Sequence, residues 1–310
     1  MTEHRLIIPE SLSGFRADVA SSELLNISRS SLKSRLSDKK IWINGSFRSI
    51  STLVETGDEI RLTLLPLPVI DMTPQSIELD ILHEDNEFLA INKPAGMVVH
   101  AGGGTRDNTM VNALLFHLQS WNAFGDSIRP GIVHRLDRET SGVILVAKKP
   151  ESLENLQNQF SKRIIQKEYR VLVNDNIVQD SLLIDSPIGR NPRDRKKMTV
   201  GGIHPREALT RLSVLERFGN CSYVAAYPKT GRTHQIRVHL ASIHHPVIGD
   251  RSYGSRGKRI LPESLTGRHL LHAFRIDFRH PASGESMQLY APLPPDMTEA
   301  LELLRRSLRD

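Results

Sequence analysis

The stretch His134-Arg135-Leu136-Asp137-Arg138-Glu139-Thr140-Ser141-Gly142, running straight into Val143-Ile144-Leu145-Val146-Ala147, decides how this chain is read. Its second half is an unbroken apolar run stopped by Lys148-Lys149-Pro150, which predicts a strand buried on both faces. Its first half sets a short carboxylate, Asp137, among arginines at the entrance to that strand. An acid held at the edge of a rigid core is equipped for chemistry, whereas a surface acid that only offsets its arginines shows the same spacing.

Outward from this core, Ile77, Leu79 and Ile81 alternate with polar residues, and Glu84-Asp85-Asn86 turns the chain into Phe88-Leu89-Ala90-Ile91. Thr109 is placed to cap a helix with Val111, Leu114, Leu115 and Leu118 on its apolar side. Pro150 at the first helical position opens another carrying Leu153, Leu156 and Phe160, and a last helix follows Asp296 with Met297, Leu301, Leu304 and Leu308. Strands thus alternate irregularly with isolated helices. The expected fold class is α+β, with a large mixed, mostly antiparallel sheet flanked by helices over residues 76–310. Residues 65–75 hold three prolines and cannot sustain a helix or a central strand, which makes them a linker.

Before that linker the chain changes character. Between Ser28 and Arg48 stand six basic residues, Arg29, Lys33, Arg35, Lys39, Lys40 and Arg48, against one acid, Asp38. Leu32 and Leu36 share one face of a helix capped by Ser28, and Arg29 and Lys33 share another that faces phosphate or water. Ile41-Trp42-Ile43 enters an Asn44-Gly45 turn, and Gly57-Asp58 turns into a closing strand. Residues 14–64 therefore read as a small α/β module.

Composition narrows the function. The chain has 310 residues, 39% hydrophobic and 25% charged, ordinary for a globular protein with room for one large domain and one small. Lys and Arg number 41 against 35 Asp and Glu, a net +6 compatible with a polyanionic partner. Cys221 is the only cysteine, so a disulfide framework and a thiolate zinc cluster within one chain are excluded, and a reducing cytoplasm fits best. No run approaches the roughly 18 apolar residues of a membrane span, so no membrane partner and no export are expected.

The central nine residues resemble the core motif of the RluA/RluD group of pseudouridine synthases, and the likeness continues in order from Ile81 to Leu293. Ile81-Leu82-His83-Glu84-Asp85 with Ile91-Asn92-Lys93-Pro94-Ala95-Gly96 resembles the family's opening hairpin, and Gln166-Lys167-Glu168-Tyr169-Arg170 its tyrosine-bearing strand. Thr230-Gly231-Arg232-Thr233-His234-Gln235-Ile236-Arg237 resembles a third motif, followed by His245-Pro246-Val247-Ile248-Gly249-Asp250, Tyr253-Gly254 and Leu271-His272-Ala273. The module over 14–64 resembles the S4 RNA-binding domain, although Arg16-Ala17-Asp18 departs from it at Ala17, where leucine is more usual.

The resemblance implies isomerisation of uridine in RNA, most naturally large-subunit ribosomal RNA, by a monomer. A tRNA-directed synthase and a non-catalytic RNA-binding protein on the same fold are the alternatives. The N1–C1′ bond must break, the uracil must turn without escaping, and C5 must bond to C1′ before its proton leaves. No electrons are exchanged and no group is imported, so neither cofactor nor metal is expected; Rossmann, Walker and HExxH signatures are missing from the sequence. By resemblance Asp137 is the catalytic carboxylate and Arg237 keeps it ionised, with Arg232 and Arg135 as nearer competitors in sequence. A helix capped by Thr233 buries Ile236, Leu240 and Ile243 and leaves Arg237 beside that face.

Tyr169 reads by alternation as a core aromatic and by resemblance as the ring that stacks on uracil and takes the C5 proton. Leu271, with Leu270 as its neighbour, would close the other side of the base, and Arg135 would fill the gap left by the extruded nucleotide. Arg29, Lys33, Arg35 and Arg232 are candidate RNA contacts, as is the segment Arg190, Arg193, Arg195, Lys196 and Lys197. Two rival chemistries are weaker. Asp137 and Glu139 make an awkward glycosidase pair, and His234, His239, His244 and His245 lack carboxylates at metal-ligand spacing.

Overall fold

The structure is a computed structural model that describes residues 2–27, 29–36, 40–65, 73–100, 107–118, 131–194, 196–254 and 260–308. The chain divides into two compact units, Met1–Ile70 and Asp71–Asp310. Ser28, most of the expected linker, the glycines at 102–104 and Arg195 lie outside the described residues.

The smaller unit is a four-stranded sheet in the order β1-β4-β2-β3 packed on two short helices. Its strands are β1 (Thr2–Ile7), β2 (Lys40–Ile43), β3 (Ser46–Ser49) and β4 (Glu59–Leu64), and its helices are α1 (Ala17–Leu24) and α2 (Arg29–Arg35). The unit starts earlier than residue 14, because β1 pairs along all of β4, from Thr2 opposite Leu64 to Ile7 opposite Glu59. A two-residue turn joins β2 to β3, with Asn44 and Gly45 both at positive φ, 48° and 75°, as a primed hairpin turn requires. Asn44 is fixed further, donating to Asp58 at 2.7 Å and accepting the Glu59 N–H at 2.9 Å. Leu32, Leu36, Ile41, Ile60, Leu62 and Leu64 form the core beneath the helices.

The larger unit is built on a nine-stranded sheet whose strands are β5 (Ile81–Glu84), β6 (Phe88–Lys93), β7 (Ser141–Ala147), β8 (Gln166–Asn174), β9 (Ser181–Asp185), β13 (Leu209–Arg217), β14 (Cys221–Pro228), β15 (Leu271–Arg279) and β16 (Ser286–Tyr290). Its order is β5-β6-β7-β15-β8-β14-β13-β9, with β16 added to β15. Every pairing is antiparallel except β7 with β15. A separate three-stranded sheet holds β10 (Ile188–Arg190) between β11 (Met198–Val200) and β12 (Ile203–Arg206). Helices α3 (Met110–Leu118), α4 (Pro150–Ser161), α5 (Gln235–Ser242) and α6 (Pro295–Arg306) are interspersed among the strands. The α+β architecture with a mostly antiparallel sheet is the one the sequence predicts.

All seven residues of β7 are buried, as the apolar run demands. At ~1.5–3 kcal/mol for each fully buried large apolar side chain, this strand anchors the sheet. Its parallel partner comes so close that a Cβ on Gly142, at φ 112°, would lie 2.2 Å from the carbonyl oxygen of Ala273. Thr109 caps α3 as expected, exchanging hydrogen bonds with Asn112, and Pro150 opens α4.

Three expectations change. Residues 77–80, alternation notwithstanding, are not a strand; the ladder with β6 begins at Ile81, and before it the Asp80 carbonyl takes the Asn92 N–H at 2.8 Å. The last helix begins at Pro295, so Asp296 lies inside its first turn and serves as the partner of Arg268. Leu308 lies beyond that helix and is exposed. Among the described residues no helix is long and apolar enough to cross a membrane.

Candidate active site

Asp137 sits on a turn closed by the Thr140 N–H to its own carbonyl at 3.1 Å, immediately before β7. The residues after it are tied down in succession. The carbonyl of Arg138 accepts from the Gly96 N–H at 2.9 Å and from the Lys93 ammonium at 3.1 Å. Glu139 gives its carbonyl to Arg268 at 3.0 Å, Thr140 bonds His269 at 2.8 Å, and Ser141 bonds His272 at 2.9 Å. Before the turn, His134 Nε2 accepts the Leu145 N–H at 2.9 Å, an assignment that places the ring proton on Nδ1; burial, helped by Lys167, pulls its pKa down to about 3. The carboxylate at 137 is thus carried by a backbone with almost no freedom.

Lys93 is the least expected of these anchors. It is fully buried, and its ammonium also bonds the carbonyls of Pro94 at 2.7 Å and Met97 at 3.0 Å. Burial pulls its pKa down to about 7, opposed chiefly by the charge of Glu139, while the three carbonyls accept the three N–H donors of the ammonium form.

Arg237 faces Asp137. Its Nη1 donates to Asp137 Oδ2 at 2.9 Å, while Nε and Nη2 fork onto Asp250 at 2.7 and 2.9 Å. Asp250 is itself buried and accepts the N–H groups of Ser252 and Tyr253 at 2.8 and 3.1 Å. Burial works against the charge on Arg237, yet Asp250 and then Asp137 raise its pKa above the ordinary arginine value. The competitors Arg135 and Arg232 do not take this place: Arg135 is exposed, and Arg232 gives Nε to the carbonyl of Glu207 at 2.8 Å.

The start of α5 differs from the expected cap. His234, not Thr233, occupies the N-cap, in the left-handed region at φ 57°, and no side chain caps the helix. Gln235 does the local work, accepting the Arg232 N–H at 3.0 Å and the Thr230 hydroxyl at 2.7 Å. His234 Nε2 lies 3.9 Å from Asp137 Oδ1, and its Nδ1 is 2.7 Å from the Tyr253 hydroxyl, which accepts the Met198 N–H at 2.9 Å. Two of the other histidines are satisfied structurally, His239 between Thr210 and the carbonyl of Ser186 and His245 on the carbonyl of Asn174, and His244 is exposed.

Asp137, Tyr169, Arg237, Leu271, Arg135 and Arg232 all line one cavity of about 630 Å³, large enough for a nucleoside. The Tyr169 phenol is held protonated, its pKa raised by burial and secondarily by Asp137. Leu271 faces the cavity, whereas Leu270 packs into a different cluster with α6. Glu139 does not line the cavity, which removes a second carboxylate from reach of a sugar there.

The cations expected on the small unit are engaged internally. Arg29 and Lys33 bond Asp18 at 2.9 and 2.8 Å, with Arg16 at 3.0 Å completing a cage around a carboxylate that is 1% exposed, and Arg35 donates to the carbonyl of Leu65 at 3.0 Å. Arg29 and Lys33 share a face as their i,i+4 spacing requires, but part of that face turns to α1.

The sequence pattern of the RNA pseudouridylate synthase family matches residues 87–242. An uncharacterized RNA pseudouridine synthase of Bacillus subtilis, YlyB, is 39% identical over 280 residues, 90% of each chain. Ribosomal large subunit pseudouridine synthase D of Vibrio vulnificus is 38% identical over 315 residues, 98% of this chain and 95% of that one. Among solved structures, human RNA pseudouridylate synthase domain containing 1 superposes with a TM-score of 0.57 at 28% identity, covering 74% of this chain and 96% of that one. The chain belongs to the RNA pseudouridine synthase family and is an RNA-modifying isomerase.

Residues that sequence reasoning left without a role are Asp250, Lys93, His234 and Lys167. For Asp250 a signal was present. It follows Gly249, where a Cβ would lie 1.9 Å from the Arg268 carbonyl, and it precedes Gly254, whose Cβ would lie 2.3 Å from its own carbonyl. An acid between two such glycines belongs to a tightly built loop.

Proposed function

We propose that this protein isomerises specific uridines of large-subunit ribosomal RNA to pseudouridine in the cytoplasm, with Asp137 as the reacting carboxylate. The observation that carries the reading is the hydrogen bond of Asp137 to Arg237 inside the one cavity that also holds Tyr169 and Leu271. The ribosomal preference follows the relatives named for it. The S4-like reading of residues 14–64 supplies an added RNA-binding surface.

The chemistry follows from the placement of charge. A uridine in stacked RNA is inaccessible and is extruded at a cost of a few kcal/mol, leaving a gap for the exposed Arg135 to fill. Tyr169 and Leu271 border the entering uracil from strands β8 and β15, and they hold it after the N1–C1′ bond breaks. Arg237 keeps Asp137 ionised as the base displaces water, so that an anionic oxygen faces the ribose or C6 throughout. The base then turns, C5 bonds C1′, and the C5 proton is relayed through the Tyr169 hydroxyl, which passes its own proton on to water as N1 takes one up.

Mapping carbodiimide-induced reverse-transcription stops in RNA from cells with and without the protein tests this directly. Stops in the large-subunit RNA that vanish without the protein, and return with the wild type but not with Asp137→Asn, are the expected result. Loss of stops confined to tRNA would move the substrate to the alternative class. An unchanged map would leave only an RNA-binding role.

A further inference from the structure

The cavity carries more positive charge than the reaction centre uses. Its lining contains seven lysines and arginines and a single carboxylate, Asp137. Arg237 is matched by Asp137 and Asp250, and Arg163 is forked onto Glu207 at 3.0 and 2.7 Å. Lys167, Arg206 and Arg232 form no salt bridge with any carboxylate among the described residues.

Lys167 stands two residues before Tyr169 on β8 and therefore shares its face. Its ammonium makes one long hydrogen bond, 3.4 Å to the carbonyl of Thr230, and lies 5.8 Å from the centre of the Phe160 ring. Burial pulls its pKa down to about 8. Holding a cation out of water without a counter-charge is costly, and such an arrangement persists where a ligand supplies the missing charge. Arg232 lines the cavity and, among the described residues, commits only Nε of its side chain, to the Glu207 carbonyl. Its charge is disfavoured by burial and then by repulsion from Arg206, Glu207 opposing and Arg163 adding a smaller repulsion, a sign of crowded cations.

We propose that Lys167, Arg206 and Arg232 form a phosphodiester subsite that grips the RNA backbone beside the extruded uridine. The proposal rests on the RNA-modifying reading of the same cavity and adds the group by which the strand is held. A phosphate brings the charge the three residues lack and oxygens for planar guanidinium donors, whereas the uracil ring brings no charge. Glu207, beside Arg206 in sequence and bonded to Arg163, tempers the cluster.

The test uses the intact protein and large-subunit ribosomal RNA transcribed with [5-³H]uridine, following tritium release at a series of KCl concentrations. Arg206→Ala and Lys167→Met are each expected to raise KM roughly tenfold, with kcat at saturation within about twofold of wild type. Each should also lower the log–log salt slope by about one, the signature of one lost phosphate contact. Lys167→Arg should restore most of the affinity. Glu207→Gln should lower KM, since it removes the carboxylate that competes with phosphate. The proposal is overturned if Arg206→Ala and Lys167→Met leave KM and slope unchanged, or if Glu207→Gln raises KM as they do, which would make the cluster a brace for the fold. Wild-type protein that releases no tritium would sink the broader reading instead, so the two failures are told apart.

Discussion

Arg237 joins two carboxylates 113 positions apart in sequence, lending Nη1 to Asp137 at 2.9 Å and its remaining fork to Asp250 at 2.7 and 2.9 Å. The division of labour is unequal. Asp250 is fully buried and holds the guanidinium in one rotamer, so Nη1, the one guanidinium nitrogen not bonded to Asp250, is presented to Asp137 without cost in side-chain freedom. Asp250→Asn should keep some hydrogen bonding but lose the charge that fixes Arg237. We expect kcat to fall about 10- to 100-fold with KM nearly unchanged, as for loss of an orienting partner. Steady-state tritium release reads both constants, and a kcat within twofold of wild type would refute the positioning role.

Asp137→Asn is nearly isosteric, and it leaves the anchored turn and the Arg237 contact geometrically possible. Product formation should drop below detection while RNA affinity, measured by filter binding, stays within about threefold of wild type. Affinity lost in parallel with product would show the residue to be structural. Tyr169→Phe separates ring from hydroxyl: stacking survives, so KM should hold while kcat falls by about 10²-fold or more, the usual scale of a proton-transfer contribution.

How much of this was legible depends on distance along the chain. The apolar run of β7, the Asn44-Gly45 turn, the Thr109 cap and Pro150 at a helix start are local signals, and each folds as read. Residues 77–80 alternate yet lie outside the ladder, because a two-residue period records which faces differ and not which strand lies alongside. The cap of α5 falls one residue beyond the predicted Thr233, in a left-handed turn at His234 whose ring meets Tyr253, 19 positions downstream and outside any local signal. The cation at position 237 was nominated by resemblance alone; helical spacing placed it beside a buried face without naming what it would meet. The same limit applies to Arg29 and Lys33, whose partner Asp18 lies on another helix.

That buried acid makes the small unit sensitive to pH. Burial alone would raise the pKa of Asp18, but hydrogen bonds from Lys33, Arg16 and Arg29 hold it well below the ordinary carboxylate value. A lowered native pKa means that the stabilisation is present above the unfolded value, about 3.9, and disappears as pH falls through the native one. The protection factors of the amides in α1 and α2, exchange rates corrected for the intrinsic pH dependence, should therefore fall below about pH 4. Asp18→Asn should cost about 3 kcal/mol at neutral pH and flatten that acid dependence. An equally steep acid transition in the variant would assign it to other carboxylates.

Gly142 tests whether the anchored turn and the sheet are one device. The strand entering the core from Asp137 passes so near β15 that any Cβ at 142 would overlap Ala273, with backbone atoms at 2.2, 2.6 and 2.7 Å. No side-chain rotation relieves a clash between backbone and Cβ, and the positive φ of 112° is itself unfavourable for alanine. Gly142→Ala should therefore push β7 and β15 apart, breaking the Ser141–His272 bond and loosening the turn that carries Asp137. We expect a loss of more than about 3 kcal/mol in chemical denaturation, beyond the usual range for a single substitution. Any folded fraction should bind RNA through its other surfaces yet show a kcat reduced at least tenfold. A variant as stable as wild type would mean that the parallel pairing at 142 is not what holds the aspartate in place.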